Sequence, residues 1–424
     1  MTKKQTKRQA KRILGIIIAL TVILGILLMM TLLLMKEMKA DRENDKNETT
    51  EAIAWVETTD GITDVITTEA VSTTEEPTES PEEIVNRELE ELVAHMTLEE
   101  KVGQMFFIRA DASFDQTTFD TYHPGGILLF GQDVENKTVS QLRDYIGSFQ
   151  RYSTYPLFIG IDEEGGTVTR VSHNSNLVEE AFESPRNLYE QGGFEAVIED
   201  SHKKSSLLKS FGINVNFAPV VDYSVDYGDF MYQRAFGNNI EETCEFAEKI
   251  VFAMKEDQMG CVLKHFPGYG NNGDTHTNII TDYREYDIFV EQDFLPFQSG
   301  IEAGADSVLV SHNIVVSMDE TYPASLSENV HRILREDLGF EGVIITDDLA
   351  MSGVADFVSV DAAAVQAVKA GNDMMIVSDY AVQYDAVVAA VQNGELDIQK
   401  IDESVIRILR WKYNLGLLED LGTY

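Results

Sequence analysis

At 424 residues and a formal net charge of −39, the chain can hold one large barrel or two ordinary domains, and it is too acidic for a general nucleic-acid binder. Its two cysteines, Cys244 and Cys261, make neither a disulfide framework nor a cysteine-rich metal site. A soluble, self-repelling ectodomain fits this charge better.

Residues 1–12 are basic, with Lys3, Lys4, Lys7, Arg8, Lys11 and Arg12, and residues 13–35 are apolar without a charge. That length predicts a membrane-spanning helix, longer than the apolar part of a cleaved signal and without a small-x-small cleavage pattern beside it. The Lys/Arg excess on its N-terminal side predicts a cytoplasmic N-terminus, so that everything downstream faces outward. Residues 36–88 turn to Thr, Glu, Asp and Ser with Pro77 and Pro81, and carry no Lys or Arg between 47 and 86. Such a segment buries too little to order itself and is expected to be an extended, disordered tether.

From residue 89 to 424 the pattern alternates between helix and strand. Buried-strand runs are Met105–Ile108, Gly126–Phe130, Leu157–Ile161, Ile213–Val221, Cys261–His265, Ser307–Ser311, Val343–Thr346 and Asp373–Val377. Amphipathic helical stretches separate many of them, among them Val139–Phe149, Glu242–Lys255, Val290–Ala303 and Ala362–Ala370. About eight β/α units predict an α/β fold, a single (β/α)8 barrel, with a doubly wound open sheet as the alternative on periodicity alone. Ile398–Leu417 reads as an amphipathic helix closing the outer ring, with Trp411 packed rather than catalytic.

In a barrel, chemistry sits at the C-terminal ends of the strands. Asp162 ends one run, followed by Glu163 and Glu164. Asp222, Lys264 with His265, His312, and Asp347 with Asp348 end others. Glu163, Asp222 and Asp348 read equally well as satisfied rim residues. The stretch CVLKHFPGYGNNGDTHTN, Cys261–Asn278, is the richest. It runs from a buried strand end into a Gly-rich loop bearing Asp274 and His276. A carboxylate two residues from an imidazole can orient the ring and favour its charged form. No histidine has metal-ligand spacing and no phosphate loop is present, so no metal and no cofactor are expected.

These residues also resemble a family. Lys-His-Phe-Pro-Gly followed by Asp-x-His is similar to the β-N-acetylhexosaminidase branch of the family 3 glycoside hydrolases. MTLEEKVGQM at Met96–Met105, GGILLF at Gly125–Phe130, IDEEGGTVTR at Ile161–Arg170, INVNFAPVVD at Ile213–Asp222, QRAFG at Gln233–Gly237 and GVIITDDLAM at Gly342–Met351 match the same branch. The resemblance spans Leu89 to Leu418 and implies the same barrel. It implies Asp347 as the nucleophile and His276, paired with Asp274, as the acid/base. It implies that Asp162, Arg170, Arg234, Lys264 and His265 bind the sugar.

Four departures stand out: Tyr269 where the family commonly has His, Asn271-Asn272 in place of Asp-Thr, an interval from Lys264 to His276 one residue shorter, and Thr167 in place of Arg. The function implied is a membrane-anchored, exo-acting β-N-acetylglucosaminidase on cell-wall glycans, working with retention through a glycosyl-aspartate. A family 3 β-glucosidase, a GlcNAc phosphorylase and a catalytically impaired wall-glycan-binding ectodomain are the alternatives. The expected partners are a carbohydrate substrate and, through the N-terminal helix, the membrane.

Overall fold

The computed structural model describes residues 79–237, 239–275, 278–355 and 357–418. The basic segment, the predicted membrane helix 13–35 and the tether as far as residue 78 lie outside the described residues. Among the described residues no helix is long and apolar enough to cross a membrane.

Eight short parallel strands form the centre: β1 Phe106–Arg109, β2 Gly126–Leu129, β3 Phe158–Ile161, β4 Val215–Asn216, β5 Gly260–Phe266, β6 Ser307–Val310, β7 Val343–Thr346 and β8 Met375–Val377. Each pairs with the next as far as β7, and β1 also pairs with β8. A single bridge between Ile345 and Met374 joins β7 to the approach of β8 and brings the ring near closure. The result is the expected parallel barrel with helices outside. Apart from Arg109 at the end of β1, its strands are buried because helices cover one face and barrel side chains the other, hence the unbroken apolar runs. The interior is filled, not hollow. Phe107 and Phe217 meet edge to face at 5.3 Å. A Cβ on Gly160 would stand 2.6 Å from the Phe217 ring, so this position on β3 must be glycine.

Two expectations need correction. The run Ile213–Val221 gives a strand only at Val215–Asn216, because Pro219 has no N–H for the ladder. Val220 rejoins the sheet through one bridge to Lys264. Helical structure is also present ahead of residue 89. A helix, Pro81–His95, starts inside the stretch expected to be tether. Ser80 accepts from Glu83 N, Glu83 returns the bond to Ser80 N, and Pro81 occupies the first turn. Leu89, Leu92 and Val93 are buried, and the helix packs against the closing helix Ile398–Asn414. Its high Glu content masked this apolar face in the sequence. Glu82 and Asn86 reach a cleft shared with Asp306, Gly342 and Val343, at the N-terminal ends of β6 and β7, so the helix sits at the barrel floor.

The closing helix buries Trp411 against Phe158, ring centroids 4.3 Å apart, as its packed reading required. It also buries Lys412 completely. Lys412 Nζ donates to Gln104 Oε1 at 2.7 Å and lies 5.2 Å from the Phe158 ring centroid. No ion pair of Lys412 occurs among the described residues, and burial pushes its ammonium down to about 7. A base held below its unfolded value of 10.5 weakens the fold below about pH 7, and the penalty is relieved as pH rises from there towards 10.5. Lys412→Met is therefore expected to gain stability relative to the parent by on the order of 3 kcal/mol more at pH 7 than at pH 10. Any cost of leaving Gln104 Oε1 unpaired is the same at both pH values and cancels. Urea unfolding of both proteins at the two pH values checks this, and a gain independent of pH would contradict it.

Candidate active site

Asp162, Arg170, Arg234, Lys264, His265, Asp274 and Asp347 line one cavity of about 540 Å³ at the C-terminal ends of the strands. His276 lies outside the described residues. A larger groove of about 940 Å³ lies elsewhere, where Arg335 and Arg407 both pair with Asp373 just ahead of β8. Size therefore does not mark the site; convergence of polar side chains at strand ends does.

The cavity is organised by a buried charge network. Lys264, at the end of β5, donates from Nζ to Asp162 Oδ1 at 2.6 Å and pairs with Glu164 Oε1 at 2.7 Å. Arg234 grips Glu164 with two bonds, Nε to Oε2 at 3.0 Å and Nη2 to Oε1 at 2.7 Å. Burial opposes charge on Glu164, but Lys264 and Arg234 outweigh it and hold the carboxyl below the usual range. Burial likewise opposes charge on Lys264, while Asp162 and Glu164 raise its pKa. Each of these groups is paired and hydrogen-bonded, which offsets the cost of taking it out of water. An ammonium has three donors, and two are used here, which leaves one for a ligand.

His265 is fixed from both sides. Asp222 Oδ2 accepts from His265 Nδ1 at 2.7 Å and from its backbone N at 3.0 Å. Arg234 Nη2 lies 3.2 Å from His265 Nε2. A guanidinium can only donate, so Nε2 accepts and the ring is the neutral Nδ1–H tautomer. Both ring nitrogens are thus engaged within the protein. His265 also lines the cavity, where the sequence expected it to bind sugar hydroxyls.

Asp347 follows β7. Its backbone N donates to Val310 O at 3.1 Å, and its Oδ1 accepts from Asp348 N at 2.8 Å. Asp348 turns to other work. Its Oδ1 accepts from Ala350 N and its Oδ2 from Ser378 Oγ, both at 2.9 Å, which ties the loop after β7 to the loop after β8. Burial, reinforced by Asp347, raises its pKa.

The model of the Glycosyl hydrolase family 3 N terminal domain matches residues 97–411. The chain belongs to glycoside hydrolase family 3. Proteins named beta-hexosaminidase from Nitrosomonas eutropha and Methylobacillus flagellatus are 30% and 31% identical to it. The first alignment covers 64% of this chain and 78% of the relative, the second 68% and 82%. The structure of a family 3 beta-N-acetylglucosaminidase from Paenibacillus sp. str. FPU-7 is similar at 31% identity with a TM-score of 0.71, over 76% of this chain and 63% of that one. This chain thus spans less than two thirds of the Paenibacillus protein. It is a glycoside hydrolase.

Within this family 3 barrel, Glu163 and Glu164 have opposite fates. Glu163 is fully buried and its carboxylate accepts from the backbone N of Arg170, Val171 and Ser172, and from the Ser172 hydroxyl. It braces the loop that carries Arg170 and offers nothing to the cavity. Glu164 was not singled out from the sequence. The signal that could have found it is alternation: if the chain continues extended past β3, Asp162 and Glu164 share a face and Glu163 points away. Tyr269 is buried, its hydroxyl shares a bond with Thr275 Oγ1, and burial pushes its pKa up. It is thereby an unsuitable proton donor.

Proposed function

We propose that this protein is an exo-acting β-N-acetylglucosaminidase that removes terminal β-linked GlcNAc with retention of configuration. Asp347 is the nucleophile, forming a glycosyl ester while the leaving oxygen takes a proton from His276, which Asp274 orients and keeps cationic. Water then attacks the ester with the imidazole as base. Lys264 and Arg234, fixed by Glu164, hold sugar hydroxyls at the closed end together with Asp162, and Arg170 flanks them.

The observation that carries this reading is the convergence of Asp347, Asp274, Lys264 and Asp162 on one cavity in a family 3 barrel. The names of the relatives and the Asp-x-His element support the acetamido sugar. The expected result is hydrolysis of nitrophenyl β-GlcNAc at least ~10²-fold faster, in kcat/KM, than of the matching glucoside, with free N-acetylglucosamine as the product whether or not phosphate is added. Preference for the glucoside, or a phosphate-dependent sugar phosphate as product, would replace this reading by one of its alternatives.

The setting follows from the sequence: basic residues 1–12 and apolar residues 13–35 favour a single-pass anchor with the barrel outside, acting on peptidoglycan-derived glycans. Protease added to intact cells should then release an active barrel. Release only after the membrane is opened would reverse the orientation.

A further inference from the structure

The loop after β5 is held at its start, its base and its tip. At its start, Tyr269 N donates to Asp222 Oδ1 at 2.8 Å, the same carboxylate that fixes His265. At its base, Arg284 donates from Nη2 to Gly268 O at 2.9 Å while pairing with Asp282 and Asp293. At its tip, the Tyr269 hydroxyl and Thr275 Oγ1 are 2.6 Å apart, and Thr275 O accepts from Gly353 N at 3.2 Å. Thr275 is fully buried and Tyr269 is 1% exposed, so water does not compete for that hydroxyl pair. Thr275 directly follows Asp274, which lines the cavity.

Between the two partners lie Gly270, at φ 54, and Gly273. Asn272 anchors the middle of the segment, its N and Nδ2 donating to Tyr269 O at 3.1 and 2.9 Å and its Nδ2 to Asp282 Oδ2 at 2.6 Å, but Gly273 leaves the backbone from there to Asp274 soft, and a soft stretch places a side chain poorly unless something pins it. We propose that the Tyr269–Thr275 hydrogen bond is the pin that sets Asp274 against the cavity, which makes Tyr269 and Thr275 positioning residues for the acid/base step. This rests on the reading of Asp274 as partner of the acid/base. The tyrosine does in this shorter loop what extra chain length cannot: its ring spans from the strand end to the loop tip. The ring is itself wedged, edge-on to His265 at 5.2 Å and tilted against Phe230 at 5.8 Å, so its hydroxyl has a fixed address.

Tyr269→Phe removes one oxygen and keeps the ring and its neighbours. Displacement of a catalytic group by about 1 Å can cost ~10²-fold, so kcat on a β-linked GlcNAc disaccharide should fall by on the order of 10–10²-fold. The nitrophenyl glycoside, whose leaving group needs little protonation, should change by less than about threefold, and KM for both should hold within about twofold. Thr275→Val should reproduce the bias, Thr275→Ser should restore near-parent rates, and the Phe/Val double variant should be no slower than either single. Amides of 270–275 should exchange hydrogen faster in Tyr269→Phe than in the parent.

Equal slowing of both substrates, an additive double variant, or unchanged exchange would overturn the pin. Asp274→Ala is measured beside them. If it lacks the leaving-group bias while the loop still loosens in Tyr269→Phe, the pin stands and the acid/base reading of Asp274 is what fails.

Discussion

Asp347→Ala is expected to abolish glycoside cleavage, by on the order of 10⁴-fold or more in kcat, while the barrel folds unchanged. The strand contact that holds the position is made by the backbone, Asp347 N to Val310 O, and survives the substitution. The neighbouring carboxylate cannot stand in, because both oxygens of Asp348 are bound, to Ala350 N and Ser378 Oγ. A fluorinated N-acetylglucosaminyl donor should accumulate as an ester on Asp347 of the parent protein, read by peptide mass mapping. An adduct on Asp348 or Glu163 would refute the assignment, and Glu163 is already committed to four donors from residues 170–172.

The second large effect is expected at Glu164. Truncation to alanine leaves Lys264 short of one partner and Arg234 short of two bonds in a buried site. Breaking a buried pair from one side destabilises by ~3–5 kcal/mol, because the remaining charge is uncompensated. Urea unfolding should show that loss. The kcat/KM should drop by on the order of 10²-fold or more, since the two cations lose the group that aims them.

Acid provides the signature. The Glu164 carboxyl is depressed in the fold, so its contribution is fully present above its unfolded value of 4.5 and is lost as pH falls from there towards the folded value. The parent should therefore lose stability below about pH 4.5 more steeply than Glu164→Gln, in line with that linkage. Parallel curves would mean that Glu164 is not held ionised by Lys264 and Arg234.

The barrel was readable because a strand buried on both faces leaves an unbroken apolar run, and a polar end of that run marks the catalytic rim. Val343–Thr346 followed by Asp347 is the cleanest instance, and the strand occupies those four residues. Where the run contained Pro219, apolarity overstated the strand, since pairing needs an N–H as well as burial. The site was legible as a set of residue types at strand ends but not as a network. Nothing in Ile161–Arg170 says that Glu163 closes on the loop behind it while Glu164 reaches forward to two cations. The bonds of Glu164, to Arg234 and Lys264, join residues far apart in the chain and exist only once the ring has formed. The tautomer of His265 is of the same kind, set by Asp222 from the segment that follows β4 and by Arg234 from the loop beyond it. The helix Pro81–His95 was missed for a local reason: a capping box made of Ser and Glu looks compositionally like the acidic sequence before it.

The helix Pro81–His95 enters at the barrel floor, and the cavity opens at the other end of the strands. Whatever precedes Pro81 is therefore attached on the side away from the mouth. A barrel moored to a surface through that helix would be held by its floor, at the end of the strands opposite the opening. Mooring would then limit how far the protein can reach without deciding which way it faces, and shortening the stretch ahead of Pro81 would shrink the volume it can sweep while leaving access to the mouth unobstructed.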